Sequence, residues 1–175
     1  MNQDFEIEDG RLIKYHGAGG HVIIPDGVTC IASCAFWGCK SLLAVTFPDS
    51  VTEVQDSAFY ACKNLKKIIR YGIEISSDYA VQDNLEYAEY LKAFLENPDD
   101  QEISQRMRKY LPFLFYIDTE HFKICLETGK FFDQKNISFF IRYLNHKQLY
   151  EKQILLMNYK HQHFNSDETG ENLKL

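Results

Sequence analysis

Two histidines one residue apart, His161 and His163, and three cysteines spaced as Cys30-x3-Cys34-x4-Cys39 are the residues here that invite a chemical reading. Imidazole and thiolate are zinc ligands, but strong zinc patterns join paired short spacings to a fourth ligand, and neither is present. His161 and His163 fall at the expected end of the last helix, where imidazole satisfies terminal carbonyls and meets the negative end of the dipole. His21 and His121 stand alone, and His146 borders a helix boundary. The chain has no G-x-S-x-G, H-E-x-x-H, phosphate loop or dinucleotide fingerprint. The stretch Gly17-Ala18-Gly19-Gly20 does not open a helix, so it reads as a turn. No catalytic residue, cofactor or metal site is expected.

The cysteines make better sense as parts of a repeat. IPDGVTCIASCAFWGCKSLLAVT (24–46) is followed without a linker by FPDSVTEVQDSAFYACKNLKKII (47–69), an offset of 23 residues. Nine pairs are identical: Pro25/Pro48, Asp26/Asp49, Val28/Val51, Thr29/Thr52, Ala35/Ala58, Phe36/Phe59, Cys39/Cys62, Lys40/Lys63 and Leu42/Leu65. Ile24/Phe47, Ile31/Val54, Trp37/Tyr60 and Val45/Ile68 keep their apolar character, as an inward-facing row requires. A fixed gapless offset means one structural unit made twice, the mark of a stacked solenoid. Cys39 and Cys62 occupy one slot in consecutive coils, where a small buried side chain is wanted. Stacked equivalents lie within disulfide range, although a reducing compartment would keep them as thiols.

These residues resemble the BspA-like leucine-rich repeats, a bacterial branch whose units read I-P-x-x-V-T-x-I-x-x-x-A-F-x-x-C-x-x-L-x-x-V. The lead-in is similar too: Phe5, Ile7, Asp9-Gly10, Leu12, Lys14-Tyr15, Gly17 and Gly19-Gly20 follow the family's strand, turn and strand before the first I-P. The resemblance covers residues 5–70 and implies a solenoid used for protein contact or adhesion, with no catalytic residues.

Read physically, Val45 and Phe47 alternate as on a strand with one buried face, and Ile68 repeats the pattern. Strands at 22–24, 42–47 and 65–69 are predicted to be consecutive parallel neighbours, each closed by the following Pro where one is present. Phe36, Phe59, Leu42, Leu65, Cys39 and Cys62 are the expected core, and Phe59→Ala would cost about 3–5 kcal/mol. Two rows face outward: His21, Ala44 and Lys67, then Ile23, Thr46 and Ile69. This face, with the groove where it meets the helices, is the candidate partner-binding surface. Two coils bury too little alone, so a hairpin from Phe5 to Tyr15, turning at Asp9-Gly10, is expected to cap one end. The other end, after Ile69-Arg70, requires the first helix, with Leu85, Ala88, Leu91 or Phe94 on the second coil.

After Arg70-Tyr71-Gly72 the spacing becomes helical. Leu85, Ala88, Leu91 and Leu95 share a face, Asp83 and Glu86 suggest a cap, and Asn97-Pro98 is a stop. A second helix starts at Asp99-Asp100 and is broken by Pro112. A third runs from Asp118-Thr119 to Gly129, a fourth from near Asp133, and a fifth over 147–161. Paired short helices resemble an ankyrin-type array in layout alone. The fold class is thus α+β: a hairpin cap (1–21), leucine-rich repeats (22–72), a helical region packed on the solenoid end (80–164) and a polar tail (165–175).

The net charge of −6 and pI near 5.5 argue against nucleic acid, which needs a basic surface. The basic runs at 63–70 and 106–109 read as solvated faces. No apolar run is long enough for a membrane span, and Met-Asn-Gln-Asp-Phe-Glu is unlike an export signal, so the cytoplasm is expected, with the cell surface or secretion without a recognisable signal peptide as alternative. Three functions follow: a non-catalytic module for a protein partner of unidentified kind, a surface adhesin or self-associating protein, and an enzyme sited in the helical half. The enzyme would need a deep pocket with converging acid and base groups.

Overall fold

The computed structural model describes residues 4–76 and 81–164. Contacts divide the chain into two compact units, Met1–Ala93 and Phe94–Leu175. The division falls inside a helix, so most of that helix belongs with the repeat.

In the first unit, β1 (Phe5–Glu8) and β2 (Arg11–Tyr15) form an antiparallel hairpin. Asp9 and Gly10 turn it with φ of 46° and 76°, the left-handed pair a two-residue hairpin demands. The remaining strands are β3 (Gly20–Ile23), β4 (Cys30–Ile31), β5 (Leu42–Thr46), β6 (Glu53–Val54), β7 (Lys67–Arg70) and β8 (Ile73–Ile75). They form two sheets, ordered β1-β2-β4-β6 and β3-β5-β7-β8. The expected ladder of β3, β5 and β7 is present, parallel and in that order, with His21 opposite Ala44 and Ala44 opposite Lys67.

Each coil also gives a two-residue strand to a second parallel ladder, in which Leu12 lies opposite Ile31 and Ile31 opposite Val54. The backbone bonds repeat with the sequence. Gly10 O accepts from Thr29 N at 2.8 Å, and Thr29 O accepts from Thr52 N at 2.9 Å. The hairpin's second strand therefore offers the first coil the same acceptors that this coil offers the next. Conformation repeats as well: Cys34 and Ser57 have φ of 62° and 63°, and Gly38 and Ala61 have 70° and 62°.

Inward residues of both ladders share one core that includes Leu12, Val22, Ile24, Ile31, Phe36, Leu42, Val45, Phe47, Val51 and Ile68. Aromatic rings run along it, Phe5 to Tyr15 at 5.3 Å, Tyr15 to Phe36 at 5.0 Å and Phe36 to Phe59 at 4.7 Å. Three corrections to the sequence reading follow. Phe59, Leu65, Cys39 and Cys62 are only partly buried, because they lie at the margin of this cluster, not inside it. Trp37 and Tyr60 are 60% and 64% exposed. Each follows an inward ring, Phe36 or Phe59, on a tight turn, so its own side chain faces out. Finally, the chain does not leave the ladder at Arg70: Tyr71 and Gly72, with φ of 55° and 73°, turn it back as β8 antiparallel to β7.

Helix α1 (Val81–Glu96) brings Leu85, 2% exposed, into the same core cluster as Ile68, with Phe59 and Leu65 packed against it. Asp83 lies inside the first turn instead of capping it. The cap position falls outside the described residues, as do part of the expected boundary at 71–80 and the tail at 165–175.

In the second unit, the Phe94 ring packs against Phe131 in a tilted arrangement, centroids 4.9 Å apart. Helix α2 (Gln101–Lys109) is capped by Asp100, which accepts from the amides of Glu102 and Ile103. Pro112 then starts a 3-10 turn, Leu111–Phe115, as its missing donor allows. Asp118 caps α3 (Thr119–Glu127), and α4 (Ile137–His146) and α5 (Tyr150–Phe164) complete the five helices. Phe115 is the hub of this core, within 5.4–6.1 Å of Phe122, Phe132, Phe140 and Tyr143.

Candidate functional site

Alternation along β3, β5, β7 and β8 sends one row of side chains inward and the next outward. Val22, Val45, Ile68 and Ile75 are the inward row across all four strands, each under 5% exposed. The outward face carries the six candidate residues. His21, Ile23 and Lys67 are exposed, Thr46 and Ile69 are half-buried, and Ala44 is buried. Ala44 was expected in the open row, and its register is the expected one; its short methyl simply lies between the longer side chains of His21 and Lys67.

The face is partly knitted together. His21 Nε2 lies 2.8 Å from Thr46 Oγ1, two strand positions on the diagonal. Lys67 Nζ pairs with Glu74 Oε1 at 2.7 Å. Glu74 belongs to β8, stands opposite Ile69, and widens the face to four strands, roughly 14 Å between the outer two at ordinary strand spacing. Sequence reading missed it, although the alternation in Ile73-Glu74-Ile75 after a Tyr-Gly turn was a usable signal. Ile23, 66% exposed, is the most open aliphatic side chain here. Chemically the face offers an aliphatic surface, one hydroxyl–imidazole pair in which Thr46 and His21 are joined by a hydrogen bond, and one exposed ion pair.

A cavity of about 110 Å³ lies between β6 and α1, lined by Val51 to Val54, Arg70, Leu85, Glu86 and Glu89. Arg70, 3% exposed, dominates it: Nη2 donates to Val51 O at 2.8 Å and lies 2.9 Å from Glu89 Oε1. Its guanidinium also sits 4.8 Å from the centre of the Tyr71 ring.

The second unit holds a larger cavity of about 360 Å³, lined by Arg108, Lys130, Asp133 and Asn136 among aromatic residues. Arg108 donates to Lys130 O, Lys130 pairs with Asp99, and Asp133 accepts from the amides of Lys135 and Asn136. Asn136 donates to Phe131 O. These groups are occupied in holding the turn between α3 and α4. Cys125 is fully buried, and burial pushes its thiol up to about 12, which makes it a poor nucleophile.

Of the histidines, His121 Nδ1 pairs with Asp118 Oδ2 at 2.7 Å within a cap, and His163 stacks on Tyr159 at 4.3 Å. Among the described residues, no three His, Cys, Asp or Glu side chains are grouped to hold a metal. No described helix is long and apolar enough to cross a membrane.

Comparison with known proteins agrees with the repeat. Residues 17–94 match the family described as "BspA type Leucine rich repeat region (6 copies)". Among solved structures, the chain is similar to the T. pallidum leucine rich repeat protein TpLRR, with 34% identity and a TM-score of 0.37. The match covers 39% of this chain and 37% of that one, so the chain spans well under half of that relative's length. None of the curated proteins matches this chain.

Proposed function

We propose that the chain, whose residues 17–94 match a BspA type leucine rich repeat region, is a non-catalytic module that binds a protein partner on the outward face of β3, β5, β7 and β8. The observation carrying this reading is the exposed Ile23 beside His21, Thr46, Lys67 and Ile69 on a four-strand sheet face. Lys67 is already neutralised by Glu74, so the face carries no excess of positive charge to attract a phosphate backbone. It suits the aliphatic centre and polar rim of a protein interface. In this reading the β1–β2 hairpin caps the repeat, α1 closes its other end, and the chain works in the cytoplasm.

The test is capture from lysate by the immobilised chain, compared with the double variant Ile23→Asp, Ile69→Asp. A partner held by the first and lost by the second supports the face. A partner held equally by both overturns it.

A second reading has one observation in its favour. Among the described residues, β3 has no strand on its outer side, and an exposed edge beside an exposed isoleucine favours self-association or adhesion. Light scattering over a concentration series separates the two, since a module of the first kind remains a monomer.

A further inference from the structure

Each coil places a different residue type in most of its cysteine slots. Cys30 is followed 23 residues later by Glu53, and Cys34 by Ser57. Only Cys39 meets its own kind, at Cys62. The bonds on either side hold those two backbones face to face: Gly38 N donates to Tyr60 O at 2.8 Å, and Asn64 Nδ2 donates to Lys40 O at 2.8 Å. Stacked coils lie about 4.8 Å apart, inside the Cα separation of about 4.4–6.8 Å that a disulfide needs.

The side chains follow the backbone. Cys62 Sγ donates to Phe36 O at 3.0 Å, and Cys39 N donates to that same carbonyl at 3.1 Å. The Cys62 sulfur thus reaches across the coil boundary into the turn that carries Cys39. Cys39, Cys62 and Cys34 are half-buried and open to a small reagent, whereas Cys30 and Cys125 are buried; of the open three, only Cys39 and Cys62 occupy stacked equivalent slots. The half-exposure that departs from the sequence expectation is what gives the pair access.

We propose that Cys39 and Cys62 form a dithiol modification site, which a small-molecule disulfide of the glutathione type converts to a disulfide between successive coils. The thiolate of one cysteine attacks the reagent, forming a mixed disulfide and expelling one reagent thiolate. The second cysteine's thiolate attacks the protein sulfur of that mixed disulfide, forms the Cys39–Cys62 bond and expels the other. Two electrons pass from the cysteine pair to the reagent disulfide, and the two thiol protons end on two reagent thiols. The second step is intramolecular between opposed slots, which favours ring closure over a lasting adduct. Burial pushes the Cys62 thiol up, which slows the exchange at neutral pH without redirecting it. Locking adjacent coils removes freedom from the unfolded chain only, so Tm should rise by about 5–10 °C.

The experiment treats the full chain with oxidised glutathione at mildly alkaline pH, blocks remaining thiols under denaturing conditions, and maps the peptides by mass. The expected result is loss of the Cys39 and Cys62 thiols, a Cys39–Cys62 linked peptide lighter by two hydrogens than the two free peptides together, and a raised Tm that dithiothreitol reverses. In Cys39→Ser and Cys62→Ser, the remaining thiol of the pair should retain a glutathione adduct. The wild-type map decides the matter even where a variant folds poorly. Persistent adducts on the wild-type pair, linkage through Cys30, Cys34 or Cys125, or no loss of thiols would each overturn the proposal.

Discussion

Arg70 Nη2 lies 2.9 Å from the carboxylate of Glu89 and 2.8 Å from the carbonyl of Val51, so one buried guanidinium ties β7 to α1 and to the strand approach before β6. Arg70→Ala should cost about 3 kcal/mol, because Val51 loses a buried donor along with the ion pair. Glu89 is half exposed, so Glu89→Gln should cost only about 1 kcal/mol, and less at high salt. Urea melts at low and high ionic strength measure both. Equal losses for the two variants would show that the guanidinium acts through charge alone.

Phe36, 1% exposed, lies between Tyr15 and Phe59, whereas Phe59 is only partly buried at the margin of the core. Phe36→Ala is expected to cost about 3–5 kcal/mol and Phe59→Ala about 1.5–3 kcal/mol, since less apolar area leaves water at the second site. The sequence alone assigned the larger value to Phe59. Chemical denaturation of the two variants ranks them, and a reversed order would mean that the rings do not stack as described.

Ala61 holds φ of 62° where the preceding coil has Gly38 at 70°. A Cβ strains that conformation by about 1–2 kcal/mol, partly offset because glycine also loosens the unfolded chain. Ala61→Gly should therefore stabilise the protein by roughly 0.5 kcal/mol and Gly38→Ala should destabilise it by about 1 kcal/mol. No atom outside the turn comes within 4 Å of a Cβ built at Gly38, so backbone strain alone is being measured. Opposite signs in thermal melts are the expected outcome.

Burial raises the Cys125 thiol from 9.0 to about 12. Above the unfolded value the unfolded chain has lost a proton that the native chain retains, so stability is intact below about pH 9 and falls as pH rises toward 12, by up to about 1.4 kcal/mol per unit. Burial also raises Cys30 and Cys62, and these act in the same direction. Melts between pH 8 and 11 should show a shallower decline for Cys125→Ala than for the wild type. Parallel curves would remove Cys125 as a source of the slope.

A chain ending at residue 75 lacks Leu85 and Glu89, leaving Ile68 and Arg70 without partners they have in the intact unit. It is expected to be insoluble or unfolded. A chain ending after Glu96 keeps α1 and should be the one of the two that yields soluble protein. Soluble, cooperative melting of the 75-residue fragment would show that the repeat closes itself through β8.

The register of β3, β5 and β7 was legible to the residue and their ends to within two residues, because a gapless repeat fixes which positions are equivalent and stacking turns equivalence into register. The second ladder was not: Cys30-Ile31 and Glu53-Val54 are too short to show a period of two. The helices were legible from Asp100, Asp118, Pro112 and Gly129, whose backbone chemistry is local. The burial of Arg70 was hidden, since it depends on Val51 and Glu89, 19 residues to either side. At the candidate face, sequence placed the six positions but did not show that Ala44 is too short to emerge or that Glu74 joins it.

A coil that accepts from its follower the bond it donates to its predecessor, as Thr29 does between Thr52 and Gly10, has matching ends. Matching ends make length a free variable for evolution. Copying residues 24–46 once more after Thr46 would set new donors against old acceptors and extend the stack by about 4.8 Å, without redesigning either terminus. A surface that grows in whole increments can be fitted to a larger or smaller target by replication slippage alone, while the residues that close it stay as they are.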